Sequence, residues 1–148
     1  MIDPKDFQQK LERHKANVAK VNGLNKDAVF APLSGAAITL VQVNFDGEGD
    51  SGQIQYVGAF AGEKRVEFPA ITVTLHSSDW GGEELTTREM PLREAVEELC
   101  YGYLQQEYDG WENNDGAFGE FTLDVAERSI ALEFNGRFTD YVQSNHTF

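Results

Sequence analysis

The sequence predicts an α+β fold: an antiparallel sheet of about five strands with helices on one face, in the order α-α-β-β-β-α-β-β. Three observations lead there. Apolar residues recur at helical spacing near the start and again after Pro91. They alternate strictly from Ile38 and again from Phe121. Glycine-rich polar turns follow or precede those alternating runs. With 148 residues, 41% of them hydrophobic, and ten Phe, five Tyr and two Trp, the chain has the material for one sizeable core. No linker, repeat or low-complexity stretch divides it, so residues 1–148 read as a single domain.

Asp3 and Pro4 form an N-cap followed by proline at the first helical position, and Gly23 is a natural stop. Between them Phe7, Leu11, Val18 and Val21, with His14 in register, make one narrow stripe, so residues 1–22 read as an amphipathic helix. Asn25 caps a second, shorter helix carrying Ala28, Val29 and Leu33, which Pro32 kinks or ends. Val41, Val43 and Phe45 then alternate with Gln42 and Asn44 in a first strand. A second runs near Gln53 to Phe60 and a third near Ile71 to Leu75. His76 to Met90 is polar and reads as a long loop. After Pro91, Leu92, Ala95, Val96, Leu99, Tyr103 and Leu104 share the face of a helix. Phe121 to Val125 and Ile130 to Phe134 form a hairpin around Ala126 to Ser129, with six apolar side chains on its core face. Residues 135–148 are a polar tail with scattered aromatics, flexible or pinned.

Charge is distributed unevenly. Residues 1–26 hold six basic side chains against three acidic, a balance of +3; residues 27–148 hold six against 22, a balance of −16. Such a body disfavours nucleic acid and anionic membrane, and favours basic partners or cations. No apolar run approaches the roughly 20 residues of a membrane span, and residues 1–20 lack the apolar core of a signal peptide. One cysteine, Cys100, excludes an internal disulfide, so a cytoplasmic location is expected. Cys100 borders the apolar stripe of its helix and reads as a buried structural thiol.

The segment Gly47 to Gly52, GEGDSG, has dinucleotide-binding spacing, but it leads into a strand, offers no helix N-terminus and carries two repelling acids. Asp46, Glu48 and Asp50 alternate as in the first half of a calcium loop. Ser51 and Val57 stand where that loop needs its glycine and its bidentate acid. Weak binding of a divalent cation by Asp46, Asp50 and Asp115 is the most this pattern allows, and no other cofactor is expected. The second turn, around Trp111, Glu112, Asn113, Asn114, Asp115 and Phe118, sets two aromatics among acids, amides and glycines, a composition suited either to packing on the sheet's end or to recognition. His76 is the one candidate general base, and no nucleophile lies at a diagnostic spacing from it.

FDGEGDSGQI at Phe45 to Ile54, GWENNDGAFGEFTLDV at Gly110 to Val125 and SIALEFNGR at Ser129 to Arg137 resemble an uncharacterised family of small proteins from proteobacteria and their plasmids. The resemblance implies no reaction, cofactor or catalytic residue. It implies a mobile-element context, in which small acidic proteins block host enzymes that handle nucleic acid. The expected function is a non-enzymatic acidic binding protein, an inhibitor or anti-defence factor, which presents Asp46, Glu48, Asp50 and the Trp111 to Phe118 turn to a basic protein surface. The alternative is a cation-dependent hydrolase or small-ligand protein using the same turns. The basic first helix offers a homodimer seam through Phe7, Leu11 and Val18.

Overall fold

A computed structural model describes residues 4–48, 51–78, 85–108, 116–136 and 142–148. Helix α1 spans Pro4–Gly35 and α2 spans Leu92–Glu107. The strands are β1 (Leu40–Glu48), β2 (Ser51–Ala61), β3 (Lys64–Val66), β4 (Thr72–Ser78), β5 (Leu85–Pro91), β6 (Ala117–Asp124), β7 (Ser129–Gly136) and β8 (Val142–Thr147). Six form an antiparallel sheet in the order β3-β2-β1-β6-β7-β8, and β4 and β5 form a separate hairpin. The fold is α+β, as expected, and the described residues form more strands and one helix fewer than the expected order.

The two expected N-terminal helices are one helix of 32 residues. Gly23 does not stop it. That residue faces open space, and its cost of about 1 kcal/mol relative to alanine is outweighed by burial of Val21, Asn22, Asn25, Val29, Phe30 and Leu33 on the opposite side. Pro32 falls in the last turn, where little helix remains to be broken. The end is a Schellman closure: the Ile38 N–H donates to Leu33 O at 3.0 Å and the Ala37 N–H to Ser34 O at 3.1 Å. Ala37 takes the left-handed conformation, φ 60°, that this closure requires.

The segment expected as a loop from His76 to Met90 is largely hairpin, paired from Thr72↔Pro91 to Ser78↔Leu85. Its Thr and Ser side chains are compatible with strands as well as loops, and two hydroxyls, Ser77 Oγ and Thr86 Oγ1, bond across it at 2.7 Å. The strand expected near Ile71 to Leu75 therefore belongs to this hairpin and not to the main sheet. Pro91 ends β5 and stands at the N-cap of α2. The tail is pinned: β8 pairs with β7, and the backbones of Ile130 and Phe148 exchange hydrogen bonds of 3.2 and 2.7 Å.

One core joins the layers. Val29, Phe30 and Leu33 of α1 and the expected stripe of α2 pack on Val41, Val43, Phe45, Phe121, Leu123, Ile130, Leu132 and Phe134 of the sheet. Cys100 lies within it, fully buried, and burial pushes its thiol far above the ordinary range, which removes the thiolate a nucleophile needs. Tyr103 stacks on Phe148, and its hydroxyl is pushed up to about 12, first by burial. Asn25 ties α1 to the hairpin: its Nδ2 donates to His76 O at 3.0 Å, and the His76 N–H donates to its Oδ1 at 2.7 Å.

Candidate interaction surface

The six-stranded sheet buries one face throughout and the other in part, at Asn135. Along β1, Val41, Val43 and Phe45 are buried, while Gln42 and Asp46 are half-buried and Asn44 is exposed. Along β7, Ile130, Leu132 and Phe134 are buried, while Ala131 and Glu133 are exposed. Ala131 is exposed between two buried neighbours, and both described helices join the core on the other side.

Register assembles this outer face into rows. One runs Tyr56, Asn44, Glu120, Glu133, Asn145; the next runs Gln42, Thr122, Ala131, Thr147. Toward the end of β1 a third row runs Gln53, Asp46, Phe118, Asn135. Glu120 and Glu133 are direct cross-strand partners, so two carboxylates stand side by side at the centre. Strands β1, β2, β6, β7 and β8 contain no lysine or arginine at all. Arg65 of β3 is held over the Tyr56 ring at 5.3 Å on the sheet's margin.

Why the strands can lie this way is visible in two local devices. A bulge between Asn44 and Phe45 lets both Phe45 and Ile54 keep to the core side. Gly119, opposite Phe45, leaves room for that ring: a Cβ there would meet the ring at 2.8 Å and the Glu133 carbonyl closer still.

Of the residues expected to recognise a partner, Asp46 and Phe118 are brought together as cross-strand partners. Glu48 ends β1. Asp50, Trp111, Glu112, Asn113, Asn114 and Asp115 lie outside the described residues. The flanks of the two turns nevertheless converge, since Gly47, which leads into the first, pairs with Ala117, which follows the second. Both turns therefore leave from one end of the sheet. Asp124 and Glu133 were missed as surface residues; their signal was the polar half of the alternation whose apolar half predicts the strands.

The expected cation set gains no support from its described member, Asp46: among the described residues no group of three His, Cys, Asp or Glu side chains could hold a metal. His76 lies in β4, half-buried, on the wall of a cleft of about 450 Å³ between α1, the hairpin and α2. Its Nδ1 is buried without a partner. Among the described residues no serine, threonine or cysteine hydroxyl or thiol is bonded to it, and the nearby Ser77 and Thr86 hydroxyls bond each other. The cleft's charged groups, Arg88 and Glu98, pair at 3.4 Å. The described residues of the cleft assemble no acid–base–nucleophile set. No described helix is long and apolar enough to cross a membrane.

The profile of DUF6878, a family of unknown function, matches residues 21–148. The chain belongs to this family. Its match begins at Val21, which is also the first buried residue of α1. The family's span thus coincides with the packed body, and residues 4–20 of α1 precede it. No curated protein and no solved structure matches the chain.

Proposed function

We propose that this protein is a non-enzymatic binding protein that docks the outer face of its sheet on a basic protein surface. The observation that carries the reading is the Glu120 and Glu133 pair, set among five strands without a lysine or arginine. Like charges directly opposite destabilise a sheet by a few tenths of a kcal/mol or more, and a basic partner relieves that repulsion on binding. Asn44, Asn145 and Gln42 beside them supply neutral donors and acceptors for register. The −16 balance of the body steers a cationic surface toward this face over long range. The partner class that fits is a protein whose basic groove otherwise holds nucleic acid, and occupying that groove is inhibition.

The test is an NMR titration of the full chain with a lysine-rich peptide. Shifts should map to β1, β6 and β7, and affinity should fall steeply between about 0.05 and 0.5 M salt, where the screening length shrinks to a few ångströms. Glu120→Lys with Glu133→Lys should abolish the shifts while leaving the helical circular-dichroism signal intact. Salt-insensitive binding, or shifts confined to the helices, would remove this reading.

A further inference from the structure

We infer that the cleft between α1, the β4–β5 hairpin and α2 binds a free amino acid with an apolar side chain, held as its zwitterion. The site lies in the helical layer and does not depend on the outer face of the sheet. Its shape follows from two helix stripes. Val18, Val21 and Asn22 of α1 and Glu98, Tyr101 and Gly102 of α2 recur at the same three- and four-residue spacing, so each set lies on one side of its helix, and both line the cleft of about 450 Å³. Small-molecule sites fall in the range of about 300–1,000 Å³. The hairpin contributes one of its faces: Leu75 and Arg88 are cross-strand partners, and Met90 lies two residues beyond Arg88 on the same side. Val21, Leu75 and Met90 are buried and give the cleft an apolar floor. Arg88 and Glu98 stand at its rim, with side chains 64% and 43% exposed.

Three features choose the ligand. The first is that the Arg88–Glu98 pair is loose: its 3.4 Å exceeds the roughly 2.7–2.9 Å of a charge-assisted hydrogen bond. A guanidinium offers five donors and a carboxylate about four acceptor sites, so both groups keep the capacity for further partners. A ligand carboxylate fits Arg88 and a ligand ammonium fits Glu98, and only a zwitterion uses both. A simple anion would meet Glu98 within a body whose balance is −16, and a simple cation would meet Arg88. The second feature is Asn22, which is 3% exposed. Its Nδ2 donates to Gly102 O at 3.1 Å and to Gln106 Oε1 at 2.8 Å, while among the described residues its Oδ1 accepts no hydrogen bond. That oxygen lies against Gly102, where a Cβ would come within 2.4 Å of it, so the spare acceptor sits where the two helices line the cleft. Buried side-chain acceptors are ordinarily paired, and an ammonium shared with Glu98 is a donor that suits this one. The third feature is the floor. Val21, Leu75 and Met90 suit an apolar side chain, and Asn25, the other buried amide of the lining, spends both its ends on the His76 backbone.

The test is calorimetry of the full chain with L-leucine, L-methionine and L-phenylalanine at up to about 10 mM, where even a millimolar affinity gives measurable occupancy. At least one should bind, and the amide shifts that NMR reads should centre on Asn22, Leu75, Arg88 and Gly102, with β6 and β7 silent. Two analogues of the tightest binder isolate the charges: its amide, which lacks the carboxylate, and its deamino acid, which lacks the ammonium. Each should bind about tenfold more weakly or worse, the ratio that a hydrogen bond to a charged group accounts for. Arg88→Gln should close the gap between the amino acid and its amide, and Glu98→Gln the gap between the amino acid and its deamino form. Both positions are exposed, so the fold should survive either change. No heat with any of the three amino acids overturns the inference. So do equal affinity for the deamino acid, binding of L-serine as tight as that of the apolar amino acids, and shifts confined to the outer face of the sheet.

Discussion

The two faces of the six-stranded sheet are made by the same residues' neighbours and have opposite characters. On the core side Val41, Val43, Phe121, Leu123, Ile130 and Leu132 are at most 1% exposed. On the other side, one residue along each strand, stand Gln42, Asn44, Glu120, Thr122, Ala131 and Glu133. The first face contributes to stability through burial; the second contributes little to it. A substitution should therefore read out on stability or on binding according to the parity of its position.

The largest expected effect is Phe121→Ala. The side chain is fully buried and lies against Phe45 at 5.6 Å between ring centroids, so truncation should cost about 3–5 kcal/mol in urea unfolding. Thr122→Ala, one residue away and half-buried on the other face, should stay within about 0.5 kcal/mol. Equal costs at the two positions would break the comparison. Gly119→Ala comes next, at about 1–3 kcal/mol, because the new methyl meets the Phe45 ring and the Glu133 carbonyl. Its effect should be relieved only in part in a Phe45→Leu background, because the Glu133 carbonyl stays in place, as a double-mutant cycle can measure.

Asn25→Ala sharpens the comparison from the helical layer. It leaves the His76 N–H and C=O without their side-chain partner, a loss of about 1–3 kcal/mol. Hydrogen exchange should report it first at His76 in β4, with the amides of β6 and β7 unaffected until global unfolding.

The helical layer carries an acid whose ionisation bears on stability. Burial, foremost, raises the Glu97 carboxyl above its usual range, helped by Glu94 and Glu98 and opposed by Arg93. A raised folded value means the ionised form is disfavoured on folding: the associated stability is present below the unfolded value near 4.5 and is lost as pH rises through the folded one. Glu97→Gln should accordingly raise the melting temperature at pH 7 and lose that advantage by pH 4. A gain that persists at pH 4 would mean that packing, not ionisation, produced it.

How much of this was legible follows from which physical signal each part uses. The apolar stripe of α2 and the alternation of β1, β6 and β7 are local patterns, and they predict both the elements and the core. The merger at Gly23 is not local, because it depends on Val21, Asn22 and Asn25 meeting α2 and β4 from far along the chain. The β4–β5 hairpin is hidden for another reason: its polar residues are exposed on a two-stranded element, where alternation has little to act on. Asp46 and Phe118 are singled out by composition, yet their pairing needs the register of β1 on β6, which no single segment contains. Glu120 and Glu133 are plain strand residues until β6 and β7 set them side by side.

That pair supplies the smallest effect and the sharpest one. Glu120 and Glu133 are direct partners, and no ion pair neutralises either among the described residues. Glu133→Gln keeps the shape of the side chain, exchanges a carboxylate for an amide and removes the repulsion, so it should stabilise the fold by about 0.2–1 kcal/mol. The gain should shrink as salt rises, because the pair is half-buried on one side and exposed on the other and is open to screening. The same substitution should weaken capture of the lysine-rich peptide. A variant that is more stable and binds less is the signature of residues kept for recognition at a cost to the fold. If Glu133→Gln instead lowers stability and leaves peptide binding unchanged, the two carboxylates belong to the architecture of the sheet, and the outer face is only its solvated side.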